Sequence, residues 1–378
     1  MTVHTGLQQW IDSPAPSLRT LRLGLVSHPA AVLPNLTGAV DALRGAGFQL
    51  MALFGPEHGF GGAALDGAKV GDTTDPRTGL PVFSLYGQHY EPTDDMLAHI
   101  DAFVFDMQDV GVRFYTYLST LFYILKAAGK AGKPVYLLDR PNPLGGKIVE
   151  GGEIEPGFES FVGIVNIPIR HGMTLGEMAN YLNAEHALGA ELHIVTMTNW
   201  QRGMWFDQTG LPWVPTSPAM PNLTTATLYP GMCLLEGTNF SLGRGTSLPF
   251  ELCGAPWLDG YALADALNAL NLPGVRFRPT VFTPSASNHA GSECRGVQVH
   301  VLDREIFRPV EMALHLIAIA RGMSGENFSW NRHFELLTGG RAVRSAFEAG
   351  EGPGEVISRW AEASSRFGNL REKYLLYA

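Results

Sequence analysis

Charge and cysteine are what this chain has least of. Charged residues make up 17% of its 378 positions, against roughly 25% in an average domain. The balance is acidic, at −9, and no Lys/Arg block stands out. Nucleic acid and anionic membranes are therefore poor partners. Three cysteines, Cys233, Cys253 and Cys294, form no zinc-type pairing and fit buried thiols in a reducing compartment. No stretch of 18 apolar residues offers a membrane span. The opening "MTVHTGLQQWIDSPAP" has no basic region followed by an apolar one, so no leader is expected and a cytoplasmic protein is. No G-x-G-x-x-G follows the first apolar run, which argues against a dinucleotide cofactor. His58, His89, His171, Asp106 and Asp109 are available to a metal, but no H-E-x-x-H or H-x-H spacing organises them. The expectation is no cofactor and no metal.

What is present is hydrophobic residues, at 45%, with 44 glycines and 25 prolines. A chain of this length holds a full core in one large or two smaller domains. Short apolar runs recur at 21–27, 48–54, 81–86, 101–107, 133–139 and 191–197. They are near-continuous, as strands buried on both faces should be. Helical spacing lies between them, in Leu36, Val40 and Leu43 and again in Leu118, Leu121, Phe122, Leu125 and Ala128. Thr174 and Glu177 stand at capping-box spacing. The alternation predicts an α/β fold, with a Rossmann-like parallel sheet domain over 1–205. A Pro-rich segment, 209–231, wraps rather than repeats. Strand patterns at 275–282 and 295–303 and a helix near 309–321 predict a smaller α+β second domain over 206–378.

Four polar clusters fall at or beyond predicted strand ends. "GPEHG" supplies Glu57 and His58. "FDMQDVGVRFYTY" supplies Asp106, Gln108, Asp109, Arg113, Tyr115 and Tyr117. "LDRPNPLGG" supplies Asp139, Arg140 and Asn142. "LEGTNFSLGRGT" supplies Glu236, Thr238, Asn239 and Arg244. In a parallel sheet the carboxyl ends of strands share one edge, where ligands bind. Glycines around Glu57 suggest close approach of a ligand, and Pro56 a stiffened turn. Asp109 and Asp139 are read as turn formers or helix caps. "IRHGMT" places His171 in a histidine-phosphatase-like Arg-His-Gly, but it leads into a capped helix, which favours packing or substrate contact. "AGKAGKPVY" lacks the phosphate-loop frame and reads as a helix C-cap.

Eight blocks occur in order: "LFGPEHGF", "TGLPVFSLYG", "FDMQDVGVRFYTY", "LDRPNPLGG", "SFVG", "RHGMTLGE", "EGTNFSLGRGTSLPFE" and "GAPW". Together they resemble the exo-β-N-acetylmuramidases of the NamZ type. The resemblance implies a glycosidase that removes terminal N-acetylmuramic acid from the non-reducing end of peptidoglycan fragments. It also implies a Rossmann-like catalytic domain with an auxiliary domain closing a cleft, and a catalytic glutamate at Glu57. The chain departs from the family's pattern at Gly61, usually Arg, and at Ala219 of "TSPAMP", usually Asn; both positions bear on sugar contacts. Glycoside hydrolysis needs an acid on the leaving oxygen and a stabiliser for an oxocarbenium-like centre. Glu57 suits the acid if a closed, apolar cleft keeps it protonated. Asp106 and Glu236 are open as nucleophile or base, and so is attack by the substrate's own acetamido group. The lactyl carboxylate of muramic acid calls for an arginine: Arg113, Arg140 or Arg244, with the last two favoured. His58, Gln108, Tyr115, Asn142, His171 and Asn239 complete the expected substrate-binding set. The alternatives are a non-catalytic muropeptide-binding protein and a phosphatase-type hydrolase using His171.

Overall fold

A computed structural model describes residues 2–378. In chain order the first part comprises α1 (Gly6–Asp12), β1 (Arg22–Ser27), α2 (Ala39–Gly45), β2 (Gln49–Gly55), β3 (Thr73–Thr74), β4 (Pro81–Ser84), α3 (Asp94–Leu97), β5 (Ala102–Asp106), α4 (Tyr117–Ala131), β6 (Val135–Leu138), α5 (Leu175–Glu185) and β7 (Leu192–Val195). The seven strands form one sheet in the order β3-β4-β2-β1-β5-β6-β7. Every pairing is parallel except the short antiparallel edge β3–β4. All six apolar runs become strands of this sheet.

Alternation across the pleat explains why those runs are apolar throughout. Leu23 and Leu25 of β1, and Ala102 and Val104 of β5, pack on the side of Leu7, Trp10, Ala42 and Leu43 from α1 and α2. Val26 of β1 and Phe103 and Phe105 of β5 face the opposite way, into the core that contains α4 and α5. Both faces are covered, so every residue of β5 is buried. Helix ends follow the sequence signals. Thr174 and Glu177 form a complete capping box on α5. Gly132, in the left-handed conformation, closes α4. Leu36 is different: it has φ +68° and is exposed, outside α2.

The second part comprises α6 (Leu223–Met232), β8 (Leu252–Ala255), α7 (Gly260–Ala269), β9 (Val275–Phe282), β10 (Cys294–Val301), α8 (Pro309–Ser324), α9 (His333–Thr338), α10 (Ala342–Glu348) and α11 (Pro353–Arg371). Its antiparallel sheet runs β8-β10-β9. The fold is thus the expected α/β arrangement of a mostly parallel sheet with a smaller α+β part. The Pro-rich segment differs from expectation by ending in α6. Asn222 caps that helix by accepting from the Thr225 N–H at 2.9 Å, and Pro230 is tolerated near its end. Strand β8 was not expected. Among the described residues no helix is long and apolar enough to cross a membrane.

Candidate active site

The order of the sheet sets the site. Strand β1 lies between β2 and β5, so the chain turns to opposite sides of it and leaves a crevice at the carboxyl edge. Immediately after β2 come Pro56, Glu57 and His58. The turn is tight: Gly59 N–H donates to Pro56 O at 2.9 Å and Gly62 N–H to Gly59 O at 3.0 Å. Gly59 has φ +75° and Gly62 φ +70°, values that glycine adopts without strain. A side chain at Gly62 would also strike Pro29. Gly55, Gly59 and Gly62 therefore shape the turn rather than admit a ligand beside Glu57; it is Gly67, at the far end of the loop, whose backbone meets the carboxylate.

A cavity of about 270 Å³ opens beside Glu57, between the two parts of the chain. Its charged wall is Glu57, His58, Asp66, Glu236, Arg244 and His333. Its apolar and hydroxyl wall includes Tyr86, Phe114, Tyr115, Tyr229 and Phe250. Glu57 is buried. It accepts hydrogen bonds from the Gly67 N–H at 2.8 Å and the Thr116 hydroxyl at 2.7 Å. Tyr86 lines the cavity with it; burial first, then the Glu57 charge, push that phenol's pKa up. Glu57 has no cationic partner among the described ion pairs. His58, at φ +71°, turns its Nδ1 to Ala64 O at 2.8 Å and its Nε2 to Asp66 at 3.8 Å.

Arg244 dominates the other wall. Its Nε and Nη2 donate to one oxygen of Glu236 at 2.9 and 2.6 Å, and its Nη1 to Asp66. The guanidinium lies over the Phe250 ring, 4.7 Å from the centroid. Burial opposes the charge of Arg244, but Glu236 and Asp66 outweigh it and push its pKa up. His333 Nε2 stands 3.6 Å from Glu236.

Of the residues expected from sequence, Glu57, His58, Tyr115, Glu236 and Arg244 come together here. The others do not line this cavity, and the reasons are physical. Arg140 and Asp106 are spent on each other, in a buried two-point ion pair of 2.5 and 2.9 Å. Buried and off the cavity wall, Asp106 is not placed as its nucleophile, nor Arg140 as its carboxylate reader. Arg113 is fully buried and donates to the carbonyls of Gly152, Ile167 and Leu337 at 2.7–2.8 Å. It staples the two parts of the chain together, and burial pulls its pKa down to about 9. Gln108 donates to Asp109 O and Pro141 O. Asn142 bridges Met173 O and the Leu144 N–H. Asn239 bridges Asn327 O and the Ser329 N–H.

His171 is fully buried, and its Nδ1 accepts from the Met173 N–H. Burial, then the charge of Arg371, pull its pKa down to about 3. A neutral, enclosed imidazole is not placed to attack a phosphate ester. Asp139 takes its structural role, accepting from the Thr174 hydroxyl, the Gly176 N–H and the Tyr377 hydroxyl. Asp109 is buried too, and accepts from the Gly111 N–H at 2.6 Å. Gly61 is exposed on a separate depression, and Ala219 sits between the cavity residues Ser217 and Met220.

Sequence reasoning missed Asp66, Tyr86, Thr116 and His333. Tyr86 carried a usable signal, since it follows β4 at the same carboxyl edge. Asp66 carried none, because only the path of the loop brings it to Arg244. Among the described residues, no group of three or more His, Cys, Asp or Glu side chains is arranged to hold a metal ion.

This geometry has relatives. The chain matches the N-terminal family model of the exo-β-N-acetylmuramidase NamZ over residues 23–224 and the C-terminal one over 227–377. The peptidoglycan β-N-acetylmuramidase NamZ of Bacillus subtilis (strain 168) is 43% identical over 378 residues, spanning 99% of this chain and 91% of that protein. A DUF1343 family protein from Bacteroides fragilis NCTC 9343, known from its crystal structure, superposes with a TM-score of 0.92 at 36% identity, covering 100% of this chain and 99% of that one. A second DUF1343 protein of that organism gives 0.80 at 31% identity, over 100% and 99% of the two chains. Both halves of the family's architecture and nearly the full length of a characterised relative are thus accounted for, and the chain belongs to the NamZ family of exo-β-N-acetylmuramidases.

Proposed function

We propose that this protein is a glycosidase that releases terminal N-acetylmuramic acid from the non-reducing end of peptidoglycan fragments, with Glu57 as general acid. The observation that carries the assignment is the asymmetry of the cavity. Glu57 is held by neutral donors on one wall, while Glu236 and Asp66 are tied to Arg244 on the other. Of the cavity's three carboxyl groups Glu57 alone is not tied to a cation, and the reaction needs a general acid on the leaving oxygen. The Thr116 hydroxyl holds its orientation while the proton passes to the glycosidic oxygen.

Glu236 is the second carboxylate of the reaction, as nucleophile, as base, or as the group that orients the substrate's acetamide. Arg244 reads the lactyl carboxylate. Its Nη1 partner, Asp66, is 43% exposed on a loop and can turn to solvent, which leaves that donor to a substrate carboxylate. A local arginine is what an acidic protein needs to hold an anionic sugar. The site of action is the cytoplasm, a reading that the three free thiols favour.

The test is release of N-acetylmuramic acid from a β-1,4 N-acetylmuramyl–N-acetylglucosamine disaccharide, beside the matching chitobiose. The expected result is turnover of the first and little of the second. A protein that binds the disaccharide without releasing either sugar refutes the catalytic reading. The anomer first released assigns Glu236: retention fits a nucleophile or acetamide participation, and inversion fits a base.

A further inference from the structure

Four aromatic rings cluster at the cavity, and one of them, Tyr86, lines it. Tyr86 shares the cavity wall with Glu57, and its ring centroid lies 5.4 Å from Phe161 and 5.8 Å from Tyr90. Phe161 and Tyr90 are 4.5 Å apart. Tyr123 completes the group, stacked nearly parallel to Phe161 at 14° and 6.2 Å, and 6.4 Å from Tyr90. Val162, beside Phe161 in sequence, lines the cavity. The rings come from separate segments: the loop after β4, helix α4 and the turn at 160–163. Tyr90 is 40% exposed, and Tyr123 and Phe161 are partly so. A core has no need of such a cluster, since aromatic rings stabilise most when enclosed.

We propose that Tyr90, Phe161 and Tyr123 form a stacking platform for the leaving saccharide, a sugar subsite that begins at Tyr86 and runs outward from the acid. The proposal rests on the glycosidase reading above. An acid that protonates the glycosidic oxygen has the departing ring attached to that same oxygen, so the ring lies beside the acid and beyond the cavity. With a volume of about 270 Å³, the cavity suits the sugar being cut off, and the rest of the substrate must continue over the surface. A pyranose presents an apolar face of C–H groups, which packs on the electron-rich face of an aromatic ring. The polar rim is supplied by Lys126, 5.7 Å above Tyr123, and by Glu91, which pairs with Lys126 and Lys130.

The test compares two substrates that share the muramyl group. The disaccharide carries a leaving sugar; β-N-acetylmuramyl fluoride carries none. Tyr90→Ala should lower kcat/KM on the disaccharide about tenfold, the size of one well-made stacking contact, and Tyr123→Ala should act in the same direction. Both variants should turn over the fluoride within about twofold of the parent, which also shows that they are folded. Tyr90→Phe, which keeps the ring, should match the parent on both substrates. Equal losses on disaccharide and fluoride would mean that the cluster only supports the cavity, and unchanged disaccharide kinetics would mean that no sugar rests there; either overturns the platform. A parent protein inert toward both substrates overturns the glycosidase reading, and the platform with it.

Discussion

Replacing Glu57 by Gln changes one carboxylate oxygen into an amide nitrogen. The Gly67 N–H can only donate, so the amide oxygen must face it across the 2.8 Å contact. The amide NH₂ then faces Thr116, whose hydroxyl can turn and accept. Both bonds survive, and the change in stability should stay within about 1 kcal/mol. Glu57→Ala is different, because it strands the Gly67 N–H and costs about 1–3 kcal/mol. Catalysis should behave in the opposite proportion. Gln has no proton to give, and loss of a general acid typically costs about 10²–10⁴-fold. The loss should be large on the disaccharide, whose sugar leaves as a poor anion, and small on the muramyl fluoride, whose leaving group needs far less help. Initial rates of muramic acid release on both substrates, with a thermal melt of each variant, make the comparison. A Glu57→Gln protein that keeps its melting temperature and cleaves the disaccharide within threefold of the parent refutes the assignment.

Arg244→Ala should lower activity on muramides and narrow their advantage over glucosaminides, because the lactyl carboxylate loses a charge-assisted pair; an unchanged ratio of the two kcat/KM values would assign that carboxylate to another group. Arg140→Ala should destabilise the protein by about 3–5 kcal/mol by leaving Asp106 buried and unpaired. Surviving folded molecules should keep the parent's substrate preference, and a selective loss toward muramides would restore Arg140 as a reader. His171→Asn should leave turnover near neutral pH largely intact while strengthening resistance to acid. Folded His171 titrates near 3 against an ordinary 6.5, so between those values the unfolded chain takes up a proton that the folded chain refuses. The stability contribution is complete above pH 6.5 and is lost as pH falls toward 3. Asn can still accept from the Met173 N–H, and circular dichroism against pH should place its acid midpoint lower than the parent's; an identical midpoint would contradict the linkage.

Much of the architecture was legible because local sequence carries it. Unbroken apolar runs marked β1, β2, β4, β5, β6 and β7, since strands covered on both faces have no polar side. Thr174 and Glu177 announced α5, since a cap is a contact between neighbours in the chain. The rule that ligands gather at the carboxyl edge of a parallel sheet picked out Glu57 and His58 directly. It also picked out Asp106 and Arg140, and there it stopped discriminating. Strand-end position gives a side chain access to the crevice but not freedom within it. Asp106 and Arg140 lie at the ends of neighbouring strands and neutralise each other, a pairing fixed by the order of β5 and β6 in the sheet. Arg244 looked no different from Arg140 in sequence. What separates them is that Arg244 meets Glu236 and the loop residue Asp66 at the wall of a cavity. The paths of two long loops decide that contact, and no periodicity in the sequence encodes them. Composition and pattern thus determined the sheet, its covering helices and the carboxylate at its edge. Tertiary structure decided which of the charged groups remain available to a substrate, because a buried charge is taken by whichever opposite charge the fold brings near it first.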